Sequence, residues 1–121
     1  MKILGIGNDI IEIYRIQEAI EKNSKLEKRV YTEKEIEYAN SNRKYEVLAG
    51  RFAAKEAISK AFGTGIRGFK LTDIEILNDE LGKPYVNLYG KLKEKYLGYN
   101  IMVTISHNKS NAISTAIISC E

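Results

Sequence analysis

The sequence predicts an α+β fold with a mainly antiparallel sheet and helices packed on it. Three observations carry this. Alternating apolar residues mark short strands at the start of the chain and again through its second half. Helical spacing fills the stretch between them, so strands and helices do not take turns as in a doubly wound parallel sheet. Near the end, Ile101, Val103 and Ile105 alternate with Met102, Thr104 and Ser106, a turn follows at 107–111, and residues 112–119 alternate back, which reads as a hairpin.

Residues 2–7 form the first strand, with Gly5, Gly7 and then Asp9 on one side of it. Glycine weakens a strand interior unless something approaches the backbone closely. Here that is either a ligand, with Asp9 beside it, or a helix packed tightly on the strand. From Ile11 the period lengthens: Ile13, Ile16 and Ile20 recur at helical spacing with Arg15, Glu18 and Glu21 outside, and Asn23 and Ser24 end the helix. Thr32 with Glu35 three residues on is a capping box for a second helix, to about Tyr38. The polar stretch 40–44 is a loop. A third helix runs from about Val47 to Phe62 and is stopped by Gly63, Gly65 and Gly68. Ile74 and Ile76 alternate with Asp73 and Glu75 in a half-buried strand. Residues 78–84, with Gly82 and the only proline, Pro84, turn the chain, and a strand at 85–89 and a short helix at 91–97 follow.

A chain of 121 residues is long enough for one domain over 1–121 with its own core, and no repeat, low-complexity segment or linker divides it. No run of 18 apolar residues is present, so no membrane span is expected. The N-terminus lacks the charged and apolar regions of a secretion signal. A single cysteine, Cys120, cannot form an internal disulfide, which fits a reducing cytoplasmic setting. The net charge of +3 is too small to predict a nucleic-acid partner. Basic residues do thicken at Arg15, Lys22, Lys25, Lys28 and Arg29, interleaved with Glu18, Glu21 and Glu27. They form either a solvated helix face or a docking patch for an acidic protein.

Chemistry concentrates in four elements: Asp9, Glu56 with Lys60, the loop Gly63-Thr64-Gly65, and His107. Each has a plain structural alternative. Asp9 can cap a helix, Glu56 can pair with Lys60 one turn on, the glycines can end a helix, and the lone histidine can be structural. On an ideal helix, at ~100° per residue, Glu56 falls on an arc with Ala49, Phe52 and Ala53, and a buried carboxylate there needs a partner such as a metal ion. Taken together, two carboxylates supply hard oxygen ligands for Mg²⁺, a lysine neutralises phosphate charge, and glycine-loop N–H groups hold further oxygens. That set describes attack on phosphorus, where catalysis is positioning and charge neutralisation. Neither GxxxxGK[ST] nor GxGxxG is present, so a P-loop or Rossmann mode of nucleotide binding is not expected.

Gly5-Ile6-Gly7-Asn8-Asp9-Ile10 with Glu12, Arg15 and Ile16, then Arg51-Phe52-Ala53-Ala54-Lys55-Glu56-Ala57 with Lys60 and Ala61, then Gly63-Thr64-Gly65, closely resemble the holo-[acyl-carrier-protein] synthase family. This is the small stand-alone branch of the 4'-phosphopantetheinyl transferases. Gly82-Lys83-Pro84 and Ile105-Ser106-His107 match as well, and the motifs keep the family's order over nearly the whole chain. The resemblance implies Mg²⁺-dependent transfer of the 4'-phosphopantetheine group of coenzyme A to a serine of acyl carrier protein, with release of adenosine 3',5'-bisphosphate. By matching positions it implies Asp9 and Glu56 as metal ligands and Lys60 against the phosphates. It places Arg51, Gly63, Thr64, Gly65, Pro84, Ser106 and His107 in the coenzyme A site. It implies that His107 holds the coenzyme's phosphates or activates the serine, and that Arg15, on the first helix, docks the carrier. The resemblance also implies a homotrimer with each active site between two subunits. Asn108 stands where some members carry an acid, and an amide accepts no proton, so the general base stays open among His107, water and a carboxylate. A non-catalytic binding module and a phosphate-ester hydrolase are the competing readings. Neither would modify a carrier protein.

Overall fold

The computed structural model describes residues 1–63 and 68–121. Strand β1 (Lys2–Glu12) is followed by helices α1 (Ile13–Lys22), α2 (Leu26–Val30), α3 (Glu33–Asn40) and α4 (Lys44–Ala61). A 3-10 turn at Leu71–Asp73 leads into β2 (Ile74–Asn78) and β3 (Pro84–Leu88), then α5 (Gly90–Lys95), β4 (Asn100–His107) and β5 (Asn111–Cys120). Every strand pairing is antiparallel, in a three-stranded sheet of order β1-β5-β4 and a two-stranded sheet β2-β3. The α+β expectation holds. Among the described residues no helix is long and apolar enough to cross a membrane.

The first strand runs five residues past the expected end at Gly7. Its ladder with β5 continues through Asp9↔Ser114 to Glu12↔Asn111, and the pairing keeps the chain extended. Asp9 therefore lies inside a strand, and Glu12, not Asp9, precedes α1. The short helix α2 goes unseen in the sequence, because five residues are too few to display a helical period. The capping box at α3 is present as expected: Thr32 Oγ1 accepts from Glu35 N and Glu35 Oε1 accepts from Thr32 N.

Helix α4 is the hub. Ala54, Ala57, Ile58 and Ala61 join Ile74, Ile76, Val103, Ala116 and Ile118 in one core, while Leu48 and Ala49 join Ile13, Ile16, Ile20, Val30 and Tyr31 in a second. Its many alanines let neighbouring backbones come close. The strand glycines are the other half of that fit. A Cβ on Gly5 would lie 2.0 Å from the Ala61 carbonyl oxygen, and one on Gly7 would lie 2.1 Å from that of Ala57. Between the two readings of these glycines the structure selects the tightly packed helix: α4, not a ligand, occupies that face of β1.

The buried acid also differs from the expected one. Glu35 is fully buried and paired at 2.8 Å with Lys55, itself fully buried, whereas Glu56 is only partly buried. Burial lowers the Lys55 pKa from its ordinary value, against the opposing pull of Glu35. Next to this pair Glu75 is nearly inaccessible and accepts hydrogen bonds from Thr32 Oγ1 at 2.5 Å, Tyr89 Oη at 2.7 Å and Asn87 Nδ2 at 3.2 Å. Burial alone would push its pKa up, but these bonds and the nearby Lys34 outweigh it and hold the carboxyl below its ordinary value. The ionised form thus stabilises the fold above the unfolded pKa near 4.5, and that increment is lost as pH falls through the lower folded value. Replacing Glu75 by Gln should destabilise the protein by about 1–3 kcal/mol at neutral pH, with the gap from wild type closing on acidification. Urea denaturation across pH checks this, and a gap that stays constant into the acid range overturns it.

Candidate active site

Seating of α4 on the glycine strand brings the two predicted metal ligands together. Asp9 and Glu56 line one open cavity of about 570 Å³ with Glu12, Arg15, Phe52 and Asn111. Burial raises the Glu56 pKa above its ordinary value and the Asp9 carboxylate adds to the rise, while Lys60 opposes it. A partly buried carboxylate that faces a second one across a cavity is arranged, with it, to take a cation. Lys60 does not pair with Glu56. Its ammonium donates to the Asn8 carbonyl at 2.9 Å and to Asp9 Oδ1 at 3.2 Å. Its side chain is half exposed, so the ammonium beside Asp9 remains accessible to a phosphate from solvent.

The donor set fits Mg²⁺. Among the described residues no group of three or more histidine, cysteine and acidic side chains is suited to hold a metal. A two-carboxylate site suits this ion, which keeps several waters and completes its shell with substrate phosphate oxygens. Glu12 shares the cavity but is taken up by Arg15 at 3.0 Å.

The remaining predicted residues gather elsewhere. Arg51, Pro84 and His107 line a second cavity of about 390 Å³, with Arg43, Tyr38 and Asn42 among its walls. Arg51 is 5% exposed; it donates to Asn78 Oδ1, its guanidinium carbon lies 5.1 Å from the Tyr38 ring centre, and its Nε has no hydrogen-bond partner among the described residues. His107 Nε2 lies 3.3 Å from Glu46 Oε2, which also receives Arg43 at 3.4 Å. A buried guanidinium with spare donor capacity beside a second arginine and an imidazole suits an anion. Asn108, next in sequence, uses its side-chain oxygen to accept from the Ser110 and Asn111 N–H groups and so builds the turn that ends at β5.

Within the described residues of one chain, the acid pair and the group of Arg51, Pro84 and His107 line separate cavities. Phe52 and Glu56 project from one face of α4, and Glu46, Gly50 and Arg51 from the largely opposite one, as ~100° per residue requires. Ser106 joins neither cavity. It alternates with His107 along β4 and so lies on the outer face of the sheet, away from α4. Gly63 ends α4 with φ +84°, a left-handed conformation that glycine adopts without strain. Thr64 and Gly65 lie outside the described residues. Sequence reasoning also missed Lys55 and Glu35, although the burial of Lys55 was signalled by its place between Ala54 and Ala57 in the most apolar part of α4.

Comparison with known proteins adds a second line. A family model described as the 4'-phosphopantetheinyl transferase superfamily matches residues 5–114. A holo-[acyl-carrier-protein] synthase of Clostridium tetani is 58% identical over 123 residues, covering 98% of each chain. The crystal structure of a holo-(acyl-carrier-protein) synthase from Bacillus anthracis, in complex with CoA (3',5'-ADP), superposes with a TM-score of 0.85 at 38% identity over 100% of both chains. That of Helicobacter pylori, in complex with coenzyme A, gives 0.84 at 32% identity, covering 94% of this chain and 99% of that one.

Proposed function

The chain belongs to the 4'-phosphopantetheinyl transferase superfamily and is an enzyme of its holo-[acyl-carrier-protein] synthase branch; from this we propose that it transfers the 4'-phosphopantetheine arm of coenzyme A to a serine of acyl carrier protein, in a Mg²⁺-dependent cytoplasmic reaction that releases adenosine 3',5'-bisphosphate. The observation that carries the reading is the meeting of Asp9 and Glu56 at one cavity, with Lys60 beside them.

Asp9 and Glu56 would hold the ion, which supplies charge neutralisation at the diphosphate. Lys60 keeps its ammonium beside Asp9 and would meet the phosphate oxygens as charge builds on the leaving group. Arg51 and His107, with Pro84, would hold the coenzyme, and the glycine loop Gly63, Thr64 and Gly65 and Ser106 complete that set by family position. The serine oxygen forms a bond to the phosphorus on the pantetheine side. The bond from that phosphorus to the bridging oxygen breaks, its electron pair leaves on the bisphosphate, and the serine's proton passes by way of the base to solvent. Incubation with coenzyme A, Mg²⁺ and apo carrier protein should add one phosphopantetheine to the carrier by mass, and a chelator should stop it. An unmodified carrier in the presence of metal would sink the proposal, and hydrolysis of the coenzyme instead would favour the phosphate-ester hydrolase.

We propose further that the working form is a homotrimer with each site shared by two copies. Two features support this. The sheet face opposite α4 carries rows of apolar side chains, Ile6–Ile117–Met102 and Ile10–Ile113, and Ile6 and Ile10 are 67% and 64% exposed. Such a face on an otherwise well-packed chain is suited to a further copy. The two half-sites also point away from each other on α4, so one copy's acid pair needs another copy's basic cavity.

Arg15 stands at the rim of the acid-pair cavity, with its side chain 74% exposed, in the first turn of α1. We assign it to carrier docking. Reversing its charge, Arg15→Glu, should raise the KM for carrier roughly tenfold and leave that for coenzyme A nearly unchanged, with the difference shrinking in high salt. Equal effects on both substrates count against docking.

A further inference from the structure

The most completely buried ionic group in the described chain lies next to the proposed metal ligand and has no part in the chemistry above. Lys55 is fully buried, and its Nζ shares its three protons among four acceptors within hydrogen-bond distance: the Val30 carbonyl at the end of α2 at 2.8 Å, Glu35 Oε1 at 2.8 Å, the Leu71 carbonyl at 2.9 Å and the Ile74 carbonyl at 2.6 Å. Glu35 is tied in turn, accepting from Thr32 N at 2.9 Å and Ile76 N at 3.0 Å. One ammonium therefore joins α4 to α2, α3, the 3-10 turn and β2.

The position of this tie along α4 gives it consequences. At ~100° per residue, Glu56 projects between Lys55 on one side and Ala57 on the other. Ala57 is the residue whose carbonyl meets Gly7 of β1. That contact is one of small groups in close fit, which sets the distance between strand and helix. The bonds of Lys55 are directional, and they fix the turn of the helix about its own axis. One turn earlier on nearly the same side, Arg51 is held to Asn78 at the far end of β2, whose first residue accepts from Lys55. The same pin thus sets Glu56 toward Asp9 and Arg51 toward the His107 cavity.

We propose that Lys55 is a positioning residue for the transfer reaction: by fixing the rotation of α4 it sets the aim of the metal-binding carboxylate and of the coenzyme-binding guanidinium together. This rests on the roles given above to Glu56 and Arg51. A merely structural lysine would affect stability without affecting metal affinity in protein that remains folded, and this difference is measurable.

The test compares wild type, Lys55→Met, the charge-neutral pair Lys55→Met with Glu35→Gln, and Leu92→Ala, which opens the core at α5 and leaves every bonding partner of Lys55 in place. Each is assayed below its own thermal transition, with folding checked by circular dichroism. Mn²⁺ binding is read by electron paramagnetic resonance with coenzyme A present and carrier absent, and kcat and KM are taken separately. Both Lys55 variants should weaken Mn²⁺ binding about tenfold or more, as loss of a supporting shell does, and raise the KM for coenzyme A, while Leu92→Ala stays within about twofold of wild type. Folded Lys55 variants that bind Mn²⁺ like wild type overturn the proposal, and so does an equal loss in Leu92→Ala. Should neither Lys55 variant fold, Glu35→Gln decides, and unchanged Mn²⁺ affinity in it overturns the proposal. Failure of wild type itself to bind Mn²⁺ or to transfer would instead refute the metal reading, which keeps the two failures apart.

Discussion

Glu56→Ala should lower carrier modification by at least about a hundredfold while leaving the fold intact, and Asp9→Ala should do the same. Outer-shell groups around a metal already account for roughly 10–100-fold in activity, so loss of a direct ligand from a two-carboxylate site should exceed that range. The fold should survive because Glu56 packs no core: its neighbours on α4, Ala53 and Ala57, carry the contacts, and removal of its charge relieves the burial and the repulsion from Asp9 that raise its pKa. Kinetics beside thermal unfolding tests both halves of the claim. Normal turnover in either variant would remove that residue from the metal site. The same variant probes the shared-site geometry. His107→Ala should also impair transfer, and co-folding it with Glu56→Ala chains should restore activity to roughly one quarter of the sites if copies mix at random. No recovery in mixed trimers would mean that Glu56 and His107 of the same chain serve one site.

Gly7→Ala should prevent normal folding. The new methyl would sit 2.1 Å from the Ala57 carbonyl oxygen, 2.8 Å from the Ala61 nitrogen and 2.9 Å from Lys60 Cβ. Two of these are helix backbone atoms that cannot step aside, so the cost is that of overpacking at its upper end, more than about 3 kcal/mol, a large part of the stability of a small domain. What survives should also have lost activity, because moving α4 away from β1 separates Lys60 and Glu56 from Asp9. Gly50→Ala is the control. Its methyl would meet only Ile105 Cγ2 at 2.8 Å, the end of a side chain that can turn away. Chemical denaturation should rank Gly7→Ala far below Gly50→Ala, and equal midpoints would refute the packing account of the strand glycine.

Local chemistry was legible and long-range chemistry was not. The Thr32–Glu35 box is closed by groups three residues apart, so spacing alone reveals it. The hairpin of β4 and β5 is likewise written in its alternation and its turn. The glycines of β1 announced a close approach without saying of what, because strand backbone is equally bare toward a ligand and toward a helix. The pairing of Glu35 with Lys55 escaped notice because its members lie 20 residues apart in sequence, and the apolar neighbours of Lys55 point to burial without naming a partner. The acid and basic halves of the site looked like one cluster because motif order carries no angle around a helix.

Residue types and spacings by themselves determined the class of fold, and the motifs and their order determined the family, since these depend on short-range periodicity and on runs of identical residues. Only the tertiary structure decided that α4 fills the bare face of β1, that Lys60 reaches Asp9 rather than Glu56, and that Arg51 and His107 stand on the opposite side of the helix. Those facts follow from how surfaces close on one another in three dimensions, and a linear pattern specifies which side chains can meet far more loosely than packing does.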